Sequence, residues 1–146
     1  MLPMQRTILH ADDNENDGLL LRLAFKKAGL PDRIVQVYDG EQAIDYLSGE
    51  APCSDRVLQP LPHLLLLDLK MPRMDGFDVL AWLNGARDLK ELPVVVLSSS
   101  AELSDSAKAR ELGARDYLVK PAELEEWVEL VQKLHATWLS KDLERL

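Results

Sequence analysis

Short apolar runs alternate with amphipathic stretches along the chain, and that alternation predicts βαβ units around a parallel sheet. Thr7 to Ala11 reads as a first strand, stopped by Asp12-Asp13-Asn14. Leu19, Leu20, Leu23 and Phe25 follow at helical spacing, and Gly29 with Pro31 closes that helix. Ile34 to Tyr38 is β-branched and predicts a second strand; Asp39 is then placed to N-cap a helix carrying Ala43, Ile44 and Leu47 and ending near Gly49. The third strand, His63 to Asp68, holds four consecutive leucines, as a strand covered on both faces should. A loop, Lys70 to Gly76, with Asp75-Gly76 as its helix-start turn, leads to a helix through Phe77, Val79, Leu80 and Leu83. Pro93 to Ser98 predicts strand four, and a polar helix around Ala107 to Leu112 ends at Gly113. Asp116 to Val119 predicts strand five, ended by Lys120-Pro121. The last helix, Glu123 to about Leu139, places Leu124, Trp127, Val128, Val131, Leu134 and Trp138 on one broad face.

The expectation is therefore an α/β, doubly wound parallel sheet of five strands. With 146 residues there is room for a single domain, residues 1–146, with its core at about 6–139 and no separate output domain expected. The one long connection, Glu50 to Pro62, holds three prolines and Cys53 and reads as a surface loop. Composition narrows the function. Hydrophobic residues at 47% and charged residues at 29% argue against a disordered chain. A net charge of −8 repels phosphate backbones and anionic headgroups, so direct binding to nucleic acid or to a membrane surface is not expected. The lone Cys53 excludes an internal disulfide and fits a reducing, cytoplasmic setting. No apolar run approaches the ~20 residues that span a bilayer.

Parallel strands joined by right-handed crossovers carry their carboxyl ends to one edge, where ligands of open α/β sheets bind. Strand one delivers Asp12 and Asp13 there, strand three Asp68, strand four Ser98 and Ser99, and strand five Lys120. If the strand order is 2-1-3-4-5, these side chains share one shallow pocket. Three carboxylates that close need compensating charge. Lys120 supplies part of it, and oxygen-only ligands suit Mg²⁺ for the rest. No histidine or cysteine belongs to the set, which disfavours zinc; His10 points the wrong way if Asp12 and Asp13 line the edge, and is read as a buried or edge polar residue. An Asp beside a divalent cation and a lysine can act as nucleophile and accept a phosphoryl group as an acyl phosphate. Ser98 could bond a phosphoryl oxygen, and nothing resembles a base aimed at water.

Four segments carry a resemblance: Ile8 to Asn14, Leu66 to Gly76, Val95 to Ser99 and Gly113 to Pro121, each at a strand end. From Arg6 to Trp138 the chain resembles a two-component response-regulator receiver domain of the bacterial chemotaxis-regulator type. That resemblance implies a flavodoxin-like three-layer sandwich with strand order 2-1-3-4-5. It implies that Asp68 is the phosphoacceptor, and that Asp12, Asp13, Asp68 and the backbone carbonyl of Lys70 hold Mg²⁺, with Mn²⁺ as a substitute. Lys120 would pair with the phosphoryl group, its bond to Pro121 being cis. Ser98 would be the hydroxyl switch and Tyr117 the aromatic switch. The implied protein is a signalling switch, not an enzyme beyond its own phosphoryl transfer and slow autodephosphorylation. Its output is a change in partner binding at the face of helix four, strand five and helix five.

The implied partner is a sensor histidine kinase or a histidine phosphotransfer protein. The long connection and apolar final helix are similar to stand-alone receivers that partner phytochrome-type kinases, and a homodimer through the C-terminal face is an open expectation. Two departures stand out: Ala11 replaces a common acidic residue, and Ser98 lacks the methyl of Thr. Rival readings are weaker. Asp13 to Gly18 imitates the opening of an EF-hand loop, but its twelfth position is Ala24. A haloacid-dehalogenase-like phosphatase would carry its nucleophile after strand one in an Asp-x-Asp pattern, which is absent. A receiver that has lost phosphorylation would lack an acid or the lysine, and here the set is intact.

Overall fold

The computed structural model describes residues 5–49 and 55–140. Five strands, β1 (Thr7–Ala11), β2 (Arg33–Val37), β3 (Leu64–Leu67), β4 (Val94–Ser98) and β5 (Asp116–Val119), form one parallel sheet in the order 2-1-3-4-5. The helices between them are α1 (Glu15–Lys27), α2 (Gly40–Ser48), α3 (Gly76–Asn84), α4 (Leu103–Glu111) and α5 (Leu124–Leu134). This is the doubly wound, three-layer arrangement expected. Side-chain alternation splits the leucine run: Leu65 and Leu67 enter the core with Ala43, Tyr46 and Leu80, whereas Leu64 and Leu66 pack with Phe25, Trp127 and Val131. Both faces are thus covered, which is why β3 is apolar throughout.

Local signals set most boundaries. The side chains of Asn14, Asp39 and Asp75 accept from the amides of Asp17, Gln42 and Asp78, capping α1, α2 and α3, and Asp75 with Asp78 forms a reciprocal capping box. Gly49, at φ 77°, ends α2 in the left-handed region where glycine carries no steric penalty.

Three expectations need correction. In α1 the buried residues are Gly18, Leu21, Ala24 and Phe25, whereas Leu19 and Leu23 are exposed. Leucines surround that helix, so periodicity could not choose its inner face; small Gly18 and Ala24 allow the close approach. Helix α4 starts at Leu103, a turn before the predicted polar stretch, and buries only Ala109. A helix with so little to bury has no apolar stripe to announce it. The final helix reaches Leu139 as expected, but as α5 followed by a π-helical turn, His135–Leu139. Trp127, Val131, Leu134 and Leu139 are buried, with α5 packed on α1 as well as on the sheet. Its broad apolar face is spent largely inside the domain.

Of the long connection, residues 50–54 and hence Cys53 lie outside the described residues. The remainder is tied to α2: Arg56 donates to the carbonyls of Tyr46 and Leu47, and the Tyr46 hydroxyl donates to the Pro60 carbonyl at 2.8 Å.

Candidate functional site

The carboxyl ends of β1, β3 and β5 converge, and the polar residues that follow them meet. Carboxylate oxygens of Asp12, Asp13 and Asp68 lie within 4.8 Å of one another. Asp12 and Asp68 are buried and Asp13 is exposed, so the group opens to solvent on one side. The ammonium of Lys120 is 3.1 Å from Asp68 Oδ2 and 2.8 Å from Asp12 Oδ2. Parallel register makes this convergence unavoidable: Ala11 pairs with Leu67, so the residue after each strand leaves the same rim.

The loop after Asp68 folds back tightly. A side chain at Gly76 would place its Cβ 2.4 Å from the Asp68 carbonyl oxygen, so only glycine fits there. The Lys70 amide lies 3.4 Å from Asp68 Oδ1.

Charge is unevenly distributed. Burial foremost, with the neighbouring Asp12 charge, pushes the Asp68 carboxyl above its ordinary value, against the pull of Lys120 and the Lys70 amide. Burial would also raise Asp12, but contact with His10 and Lys120, together with the Asn14 amide, holds it below the usual carboxylate value. Burial alone would lower Lys120, but its contacts with Asp12 and Asp17 and the charges of Asp68 and Asp12 hold it above its ordinary value. For an acid whose folded-state pKa is raised, stability is present below the unfolded value and lost as pH rises through the folded one. Replacing Asp68 by a neutral group therefore relieves the metal-free protein at neutral pH. Asp68→Asn is expected to raise its Tm by roughly 2–4 °C, the shift that about 1 kcal/mol produces in a chain of this size. Scanning calorimetry in chelator checks it, and a lowered Tm would contradict the assigned crowding of charge.

The donor set fits a hard divalent cation. All available atoms are oxygens, and Asp12 Oδ2 is a fully buried carboxylate oxygen whose contact with Lys120 is too poorly aligned to count as a hydrogen bond. His10 is buried, as expected, and its Nε2 lies 3.4 Å from Asp12 Oδ2 inside the fold. Residues two apart on a strand share a face, and that spacing was the available signal.

Ser98 is buried at the end of β4, with its carbonyl accepting from the Lys120 amide at 2.8 Å and its Oγ accepting from the Ser100 amide at 3.2 Å. The half-buried Tyr117 donates its hydroxyl to the Ser100 carbonyl at 2.8 Å. Two residues that sequence reasoning missed join here. Ser100 also bonds Asp105 in the first turn of α4, at 2.7 Å. Asp17, on α1, accepts from Lys120 at 2.8 Å. No sequence pattern links Asp17 to a lysine 103 positions away.

A family model for the response regulator receiver domain matches residues 8–132. The phosphorylated cyanobacterial phytochrome response regulator RcpA superposes with a TM-score of 0.85 at 33% identity, covering 94% of this chain and 96% of its own. Response regulator RPA3017, of red light signaling in R. palustris, gives 0.87 at 36% identity, covering 92% and 94%. Response regulator Rcp1 of Synechocystis is 32% identical over 92% of this chain and 89% of its own. Its Mn²⁺-bound structure gives a TM-score of 0.81, covering 92% and 95%.

Proposed function

The chain belongs to the response regulator receiver family, the phosphorylation-dependent switches of two-component systems, and from that premise we propose that Asp68 is its phosphoacceptor and Lys120 the cation that holds the phosphoryl group. The observation that carries this reading is the convergence of Asp12, Asp13, Asp68 and Lys120 at one rim of the sheet. Receiver domains bind Mg²⁺ or Mn²⁺ at such an acidic pocket, and we assign that role to Asp12, Asp13 and Asp68 with the Lys70 carbonyl. A divalent cation bound there supplies positive charge for the phosphoryl oxygens. In the transfer, an Asp68 carboxylate oxygen forms the new O–P bond as the P–N bond of a phosphohistidine breaks, the electron pair staying on the departing imidazole. Lys120 stands where its ammonium can offset the negative charge of the same group and donate a hydrogen bond to its oxygens. The only chemistry on this reading is the chain's own phosphoryl transfer and slow autodephosphorylation.

The signal leaves through Ser98. Its hydroxyl now accepts from the Ser100 amide; turning it toward a phosphoryl oxygen gives up that bond. Ser100 in turn holds Tyr117 through its carbonyl and Asp105 through its hydroxyl. One residue thus joins the hydroxyl switch to the aromatic switch and to α4, an equilibrium that phosphorylation biases. The output face lies beyond them. Between β5 and α5 a groove of about 640 Å³ is lined by Leu118, Val119, Pro121, Leu130 and Trp138. We place a downstream partner there, a second copy of this chain among the candidates. The kinship with RcpA, RPA3017 and Rcp1 supports a histidine kinase of phytochrome type as the phosphoryl source; among the described residues no helix is long and apolar enough to cross a membrane.

Amide chemical shifts recorded with Mg²⁺ and a small acyl-phosphate donor test the switch. Shifts are expected to move through Ser98–Ser100, the start of α4 and β5 in the wild type, and to stay fixed in Asp68→Asn. Ser98→Ala should keep the response around Asp68 and lose it at Tyr117. Movement confined to the immediate surroundings of Asp68 in the wild type would sink the proposed output route.

A further inference from the structure

An ammonium has three N–H donors and no acceptor, and three carboxylate oxygens surround that of Lys120: Asp12 Oδ2 and Asp17 Oδ2 at 2.8 Å, Asp68 Oδ2 at 3.1 Å. Asp12 and Asp68 belong to the acidic triad; Asp17 does not. It stands in the first turn of α1, its amide bound by the N-cap Asn14, its side chain partly exposed beside the site. Acidic residues in a first helical turn commonly serve the helix dipole alone. That role explains a carboxylate at this position but not its direct bond to a lysine from the far end of the sheet.

A divalent cation and Lys120 compete for the same oxygens. When Asp12 and Asp68 turn their lone pairs to the cation, the ammonium loses two partners and meets a like charge. Asp17 is then the one carboxylate around Lys120 that the triad does not claim. We propose that Asp17 is a positioning residue, drawing Lys120 off Asp12 and Asp68 as the cation binds while keeping it beside the phosphoacceptor. The inference rests on the metal-site reading above. Asp17 touches no reacting atom and acts only through Lys120.

Mn²⁺ titrated into the metal-free protein, with the free ion followed by electron paramagnetic resonance, separates the outcomes. Asp17→Asn should raise the Kd about tenfold, the low end of what losing a partner of a ligand shell costs. Asp17→Glu, which keeps the charge, should restore near-wild-type affinity. In a Lys120→Met background the Asp17→Asn change should have far less effect. Simple attraction between Asp17 and the cation predicts the reverse, because removing the ammonium leaves the Asp17 charge unscreened. An equal or larger loss without Lys120, or no loss with it, would overturn the proposal. Failure of the wild type to bind Mn²⁺ would instead remove the metal-site reading and this inference with it. Asp17→Ser repeats the measurement should the Asn variant fold poorly by circular dichroism.

Discussion

Incubated with Mg²⁺ and a small acyl-phosphate donor, the protein is expected to gain one covalent phosphoryl group by intact mass, and Asp68→Asn to gain none. The expected effect is complete because the reaction needs a carboxylate oxygen as nucleophile, and an amide offers none of comparable reactivity. Asp12 and Asp13 are also carboxylates at the same rim, so the variant tests position as well as chemistry. Asp12 is buried with its charge favoured by His10 and Lys120, which makes it a poor nucleophile. Asp68 has its charge disfavoured by burial and by Asp12, and so keeps a more basic, more reactive carboxylate. Lys120 beside it offsets the charge that a phosphoryl group brings. An adduct that persists in Asp68→Asn, mapped to another residue, would overturn the assignment.

The second large effect is on stability. A ligand that binds only the folded state stabilises it by about 2.7 kcal/mol at a hundred times its Kd. In a chain of this size that amounts to roughly 5–10 °C in Tm. Mg²⁺ is expected to produce such a rise, and Asp13→Asn to abolish most of it. Asp13 is exposed, and its removal should change the Tm in chelator little. Asp12→Asn should also abolish the rise but lower the metal-free Tm, since it strips the half-buried Lys120 and the buried His10 of a charged partner. The gain from Mg²⁺ should shrink as pH falls, because the raised Asp68 carboxyl must release its proton before it can hold a cation. Differential scanning calorimetry across Mg²⁺ concentrations and pH reads all of these. A Tm indifferent to Mg²⁺ in the wild type would leave the acidic pocket without its assigned ligand.

Most of the fold could be read along the chain because its signals are local. Four leucines in a row announce a strand covered on both faces, and β3 is buried on both. Asn14, Asp39 and Asp75 mark helix starts by the bonds their short side chains make three residues ahead. Asp12, Asp13, Asp68 and Lys120 follow strand ends, and parallel strands deliver their ends to one rim. The first turn of α4 escaped because a helix with one buried alanine has no period to mark where it begins. The inner face of α1 escaped for the opposite reason, since apolar residues ring it.

The sequence by itself determined the order of strands and helices, the parallel sheet, and which acids and which lysine would stand at its carboxyl edge. Backbone hydrogen bonding and apolar alternation act within a few residues, so their marks survive in the linear chain. Only the tertiary structure decided that Asp17 shares Lys120 with the acidic triad, and that Ser100 links Ser98 to Tyr117 and α4. Those contacts depend on how far one element sits from another and how each is rotated. Packing of the whole core sets both, and no short window of sequence records them.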